Sequence, residues 1–136
     1  TMLVVAEDRT SGIALDLRLR PLRALVLHGG TGYSQKGPEP GNASAYLSWT
    51  RLDARGRISV AGFAGEVDGA AWFDHEWGTS QLGDEVVGWD WFSLRLKDGR
   101  DLMVYQLRRA DGSAILRRGG LGFIPPYIGG DAVDVK

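Results

Sequence analysis

The chain has 136 residues, 43% hydrophobic and 24% charged, enough for one domain with a real core. Its net charge of -1 provides no basic field to draw in nucleic acid or an acidic membrane surface. It contains no cysteine, which excludes disulfides and thiolate metal sites.

The longest apolar run near the start, residues 2–6, is too short for a signal-peptide core or a membrane span. The chain begins with Thr1 rather than Met, so a leader could have been removed ahead of it. Ile13, Leu15, Leu17 and Leu19 alternate with Ala14, Asp16, Arg18 and Arg20, the pattern of a half-buried strand. Pro21 punctuates it, and residues 23–28 read as another strand. Residues 29–42 hold five glycines and two prolines, so a long loop is expected there. Residues 45–53 and 57–64 read as strands joined by a hairpin turn around Ala54-Arg55-Gly56. Residues 72–77 read as a short strand or rim segment. Residues 87–96 and 101–109 flank Lys97-Asp98-Gly99-Arg100, the clearest hairpin in the chain. A second Asp-Gly pair, Asp111-Gly112, starts a turn towards residues 114–117. Residues 119–136, with Pro125-Pro126, are the least patterned. Short strands with turn signals between them predict an all-β fold, an antiparallel β-barrel or sandwich, as a single domain over 1–136.

Residues 69–112 place Asp74, His75, Glu76 and Asp90 among Trp72, Phe73, Trp77, Trp89, Trp91 and Phe92. A carboxyl group in apolar surroundings holds its proton more tightly and can donate it at neutral pH. Aromatic faces nearby stabilise a positive charge that forms afterwards. On the strand 87–96, Asp90 shares a face with Phe92, Leu94 and Leu96, opposite Trp89, Trp91, Ser93 and Arg95. If the aliphatic face is the interior, Asp90 is a general acid at a cavity mouth; otherwise it is a rim carboxylate paired with an arginine or backbone N–H groups. His75 shares a face with Phe73 and Trp77, opposite Asp74 and Glu76. It is either a pocket group that exchanges a proton or a rim histidine bonded to a carbonyl. The chain has only two histidines, His28 and His75, and a metal site is disfavoured. The stretch GGTGYSQKGPEPGNAS lacks phosphate-loop spacing. It reads as a covering loop whose Tyr33, Ser34 and Lys36 can reach a ligand. Ser80 has no nucleophile elbow around it.

The segments GYSQKGPEPGNASAYLSWTRL, WFDHEWGTSQL, VGWDWFSLRLKDGRDLMVYQLRRADGS and, more weakly, IALDLRLRP resemble the lipocalin-like carotenoid 1,2-hydratase family. That family is also called hydroxyneurosporene synthase-like, and many members are labelled secreted hydrolases. The resemblance implies two lipocalin-like β-barrel domains, of which this chain matches the inner portion of the first. Residues 121–136 fit the pattern poorly. The chain is then a fragment, a reduced variant or an engineered form, and a partial barrel is expected.

For the hydratases, the resemblance implies addition of water across a terminal carbon–carbon double bond of an acyclic carotenoid, without a cofactor. A carboxylic acid protonates the alkene, water attacks the tertiary cation, and a base accepts the proton. His75 and Trp77 match the family's His-x-Trp arrangement, and Asp90 matches an acid in the aromatic strand that follows. Related proteins fold polyene chains for cycloaddition, and fold similarity does not fix the reaction. The expected enzyme uses Asp90 as proton donor and His75 as base. Trp77, Trp89, Trp91, Tyr105 and Tyr33 would contact an apolar isoprenoid or lipid-like substrate, with no metal. Two alternatives stand beside it: a non-catalytic carrier of an apolar ligand, and an incomplete domain active only on assembly. Unpaired strand edges predict a homodimer or larger assembly. The compartment is open between the periplasm or exterior and the cytoplasm.

Overall fold

The computed structural model describes residues 1–79 and 82–122, with side chains as far as Ala114. Ser80 and the tail beyond residue 122 lie outside the described residues. Every regular element among the described residues is a β-strand, and every pairing whose register is given is antiparallel, so the all-β antiparallel expectation is met. No helix there is long and apolar enough to cross a membrane. One sheet holds β1 (Met2–Asp8), β2 (Ile13–Pro21), β3 (Val26–Leu27), β4 (Tyr33–Gln35), β5 (Ala43–Val60) and β6 (Phe63–Trp77). The other holds β7 (Gly88–Arg95), β8 (Asp101–Arg108) and β9 (Ala114–Gly122). The chain divides into two compact units, Thr1–Ala24 with Trp49–Phe73, and Leu25–Ser48 with the residues from Asp74 onwards.

In the first unit, β1 and β2 form a hairpin in register Met2↔Leu19 to Asp8↔Ile13. The Asp8 carboxylate folds the connection, accepting from the Thr10 backbone N–H at 3.0 Å and the Ser11 hydroxyl at 2.6 Å. Such an Asx turn sets the backbone without help from tertiary contacts. β2 turns Leu19 inward and Asp16, Arg18 and Arg20 outward, as its alternation predicts. Leu19 and Leu52 are the buried apolar side chains here.

The predicted turn at Ala54-Arg55-Gly56 is not formed. β5 runs through it without a break and pairs with β2 from Leu52 to Ser59. The chain reverses instead at Ala61 and Gly62, whose φ of 42° and 85° are the two positive values that a tight hairpin turn requires. Gly56 has a different reason to be glycine. A Cβ there would lie 2.0 Å from the backbone oxygen of Asp16, so the residue marks a close approach of two strands. Residues 72–77 are likewise no separate segment but the end of the long β6.

In the second unit, β3 and β4 pair with the first half of β5, Val26↔Ser48 and Tyr33↔Ala45 among the partners. The hairpin of β7 and β8 has the expected register, Gly88↔Arg108 to Arg95↔Asp101. Gly99 closes its turn with φ 87°, and Asp98 accepts from the Arg100 backbone N–H at 3.1 Å. The second Asp-Gly turn leads into β9, which extends to Gly122. Met103, Tyr105 and Leu107 of β8 are buried, and opposite residues of a pair share a face. Their partners Ser93, Trp91 and Trp89 therefore define the inner face of β7. The aliphatic face is then the outer one, and large side chains are exposed on both faces, Phe92 and Leu94 on this one and Trp89 and Trp91 on the other.

Candidate functional site

The second unit contains a cavity of about 330 Å³. Trp89 and Trp91 of β7, Tyr105 and Leu107 of β8, and Leu82 supply its apolar walls. Lys36, Tyr46 and Glu76 supply a polar corner, and Gly78 and Thr79 complete the lining. Apolar walls with a few convergent polar groups are the usual make-up of a small-molecule site.

The polar corner is built by β5. Along its first half Ser44, Tyr46, Ser48 and Thr50 point inward and are buried, while Ala43, Ala45, Leu47 and Trp49 are less so. A strand that buries its polar face must find partners for it. β6 delivers them, because Asp74 and Glu76 occupy alternate positions on one face. The Tyr46 hydroxyl donates to Asp74 Oδ2 at 3.1 Å, and the Ser48 hydroxyl donates to Oδ1 of the same carboxylate. The Ser44 hydroxyl donates to Glu76 Oε1. Trp91 Nε1 donates to the Tyr46 hydroxyl at 3.1 Å, tying the cavity wall to this network.

His28 completes one end, with Nε2 2.7 Å from Ser48 Oγ and its ring stacked on Tyr46 at 4.0 Å. Ser48 spends its single proton on Asp74, so His28 Nε2 must carry the hydrogen of this bond. Burial, the largest cause, pushes the His28 pKa down to about 4; the Lys36 charge adds to this, while Asp74 and Glu76 oppose it. His28 is thus neutral at pH 7. Burial and the nearby Asp74 charge raise the Tyr46 phenol well above its ordinary range, so it acts as a hydrogen-bond donor.

Lys36 sits at the other end with only 5% of its surface exposed. Its ammonium lies 2.7 Å from Glu76 Oε1 and donates to the Tyr105 hydroxyl at 3.2 Å. It also stands over two rings, Tyr105 at 4.2 Å and Tyr46 at 5.0 Å from their centroids. A buried lysine needs this kind of compensation. Among the described residues no group of three or more His, Asp or Glu is arranged to hold a metal ion.

The expected site residues fall in different places. Trp89, Trp91 and Tyr105 line the cavity. His75 and Trp77 are exposed and stack on each other at 4.6 Å, on the face of β6 opposite Asp74 and Glu76. Asp90 lies on the outer face of β7, accepting from Gln106 at 2.8 Å and ion-paired with Arg108 at 3.0 Å. Tyr33 is exposed and donates to the Pro40 carbonyl. Its neighbour Ser34 is buried, 3.4 Å from the Tyr105 hydroxyl. Tyr46, Ser44, Ser48 and His28 join the site without having been singled out in the sequence. The signal for the three strand residues was a period-2 run of hydroxyl-bearing residues from Ser44 to Ser48.

This is a lipocalin-like, all-β chain with a cavity in its second unit. Residues 3–123 match the model of the AttH-like family, and the chain belongs to that family. It is also similar to a crystal structure of a "putative AttH" from Nitrosomonas europaea, with 38% identity and a TM-score of 0.77. The match covers 89% of this chain but 37% of that one, so the chain spans little more than a third of its relative's length. No curated protein matches it.

Proposed function

We propose that the cavity of the second unit binds an apolar, unsaturated small molecule of isoprenoid or related type. One observation supports this above the rest: Trp89, Trp91, Leu82 and Leu107 line a space whose polar groups gather in one corner and are mostly hydrogen-bonded within the protein. Such walls reward burial of apolar ligand surface, at about 25 cal/mol per Å² before the costs of association. Indole rings also stack well on conjugated chains. The test is a titration with all-trans-retinol, followed through quenching of tryptophan emission. Saturable quenching is expected in the wild type, with affinity at least about tenfold weaker in Trp89→Ala. Absence of saturation in the wild type would overturn the reading.

A second reading, hydration of a carbon–carbon double bond, takes Asp90 as the acid that the family motif matches and His75 as its base. Glu76 lies in the cavity wall but is ion-paired with Lys36. A carboxyl would protonate the alkene and water would quench the cation beside the indoles. Incubation of an acyclic polyene in 18O-labelled water distinguishes carrier from hydratase. A product carrying one labelled hydroxyl group establishes the enzyme, and unchanged polyene leaves the carrier.

A further inference from the structure

Among the described residues, Lys36 has one N–H that meets no strong acceptor. An ammonium carries three N–H bonds. In this corner one is matched by Glu76 at 2.7 Å and one by the Tyr105 hydroxyl at 3.2 Å. What remains on offer are the faces of the Tyr105 and Tyr46 rings, 4.2 and 5.0 Å to their centroids. A ring face is a weak acceptor, and an oxygen atom entering the cavity displaces it without breaking either of the stronger contacts. Lys36 is itself part of the cavity lining and is 95% buried, the complement of its 5% exposure.

The charges around that donor decide which oxygen it takes. Glu76 already neutralises Lys36. Asp74 adds a second carboxylate, held by the Tyr46 and Ser48 hydroxyls, and neutral His28 adds nothing. A carboxylate ligand would gain Lys36 but meet Glu76 on the same ammonium, and like charges at close range disfavour each other.

We propose that Lys36 and Glu76 together form a selectivity device, so that the cavity takes an apolar ligand ending in a neutral oxygen, a hydroxyl or carbonyl, and rejects the carboxylate of the same skeleton. This rests on the apolar-ligand reading above and narrows it to one class of ligand. The device has two separable parts: the spare N–H of Lys36 holds the neutral oxygen, and the Glu76 charge turns the acid away.

The experiment compares all-trans-retinol with all-trans-retinoate, at pH 8 and low salt, on the wild type, Glu76→Gln and Lys36→Met. The two probes share their apolar body and differ at the head. The wild type is expected to bind the alcohol at least about tenfold more tightly than the carboxylate, the scale of one unit charge in a partly buried site. Glu76→Gln keeps the shape of the side chain and removes its charge. It should tighten retinoate binding relative to retinol by about tenfold or more. Lys36→Met should weaken retinol binding by about tenfold, the value of one hydrogen bond to a charged donor. If Lys36→Met fails to fold, the Glu76→Gln pair of affinities carries the test alone. Equal affinities of the wild type for both probes, or an unchanged preference in Glu76→Gln, would overturn the selectivity device while retinol binding kept the broader reading intact. Binding of neither probe by the wild type overturns both.

Discussion

The two units differ in one use of charge. In the first, the described ion pairs lie at the surface: Arg57 pairs with Glu66 at 3.0 Å with both side chains 71% exposed, and Arg20 and Arg55 share Asp53 at 3.6 and 3.2 Å. In the second, Lys36 is buried against Glu76, and Asp74 receives two buried hydroxyls. Both units are built around the same long strand. Its inward positions are Ser44, Tyr46 and Ser48 in one stretch and Leu52 in the other. Exposed pairs contribute little to stability, and buried ones are often no better than a well-packed apolar substitute. The arrangement of the second unit lies beside a cavity, which is the ground for the ligand reading proposed above.

The largest effect that would break this contrast comes from removing one member of the buried network. Asp74→Ala leaves the hydroxyls of Tyr46 and Ser48 without their acceptor and is expected to cost about 3–5 kcal/mol. Glu66→Ala in the first unit should cost less than about 1 kcal/mol. Urea unfolding of both variants measures the difference, and equal costs would remove the distinction between the units.

Next in size is the response to acid. The folded pKa of His28, about 4, lies below its ordinary value of about 6.5. Between these values the unfolded chain binds the proton and the folded chain does not. The stability from this group is therefore complete above about pH 6.5 and is lost as pH falls towards 4. The total is at most roughly 3 kcal/mol, given the size of the shift. Unfolding free energies at pH 7 and pH 4.5 should show a smaller drop for His28→Gln than for the wild type. An equal drop would mean that His28 is not held neutral by its burial against Tyr46.

A smaller effect belongs to the first unit. Gly56→Ala places a Cβ against the Asp16 carbonyl oxygen, where only 2.0 Å is open. The strands must part locally, at a cost of at least about 2 kcal/mol. Thermal unfolding checks this. A neutral result would restore the reading of Gly56 as a surface turn residue.

Gly56 also shows where the sequence could be read and where it could not. Turns marked by Asp-Gly, at Asp98-Gly99 and Asp111-Gly112, form where expected, because their side chains act on their own backbone. A lone glycine after Arg55 has two physical causes, a turn or a close approach, and only the partner strand tells them apart. β2 was legible because its two faces differ, leucine against charge. The two faces of β7 are both apolar, so its inner side is decided by Met103, Tyr105 and Leu107 on the neighbouring strand. The cavity residues Trp89, Trp91 and Tyr105 stood out as large aromatics. Ser44, Tyr46 and Ser48 did not, since small hydroxyl groups on alternate positions look like a solvated face until carboxylates arrive from β6.

The smallest expected effect concerns Asp90. Its side chain is 34% exposed, and Arg108 opposite is 40% exposed. Such a pair contributes about 0–1 kcal/mol. An asparagine in its place still accepts from Gln106, so Asp90→Asn should lower the melting temperature only slightly. Retinol affinity should stay within about twofold, because Asp90 lies on the face of β7 away from Trp89 and Trp91. If the chain hydrates polyenes, the same variant tests the source of the proton. Turnover close to the wild-type value would exclude Asp90 as the donor. Asp90 as the donor would instead lower turnover about a hundredfold or more with binding unchanged, the usual scale for losing one acid–base group. That outcome would place the chemistry on the outer face of the strand. It would also require the substrate to approach from the side where Phe92 and Leu94 are exposed, leaving the buried corner of Lys36, Glu76 and Tyr46 to hold the ligand rather than to transform it.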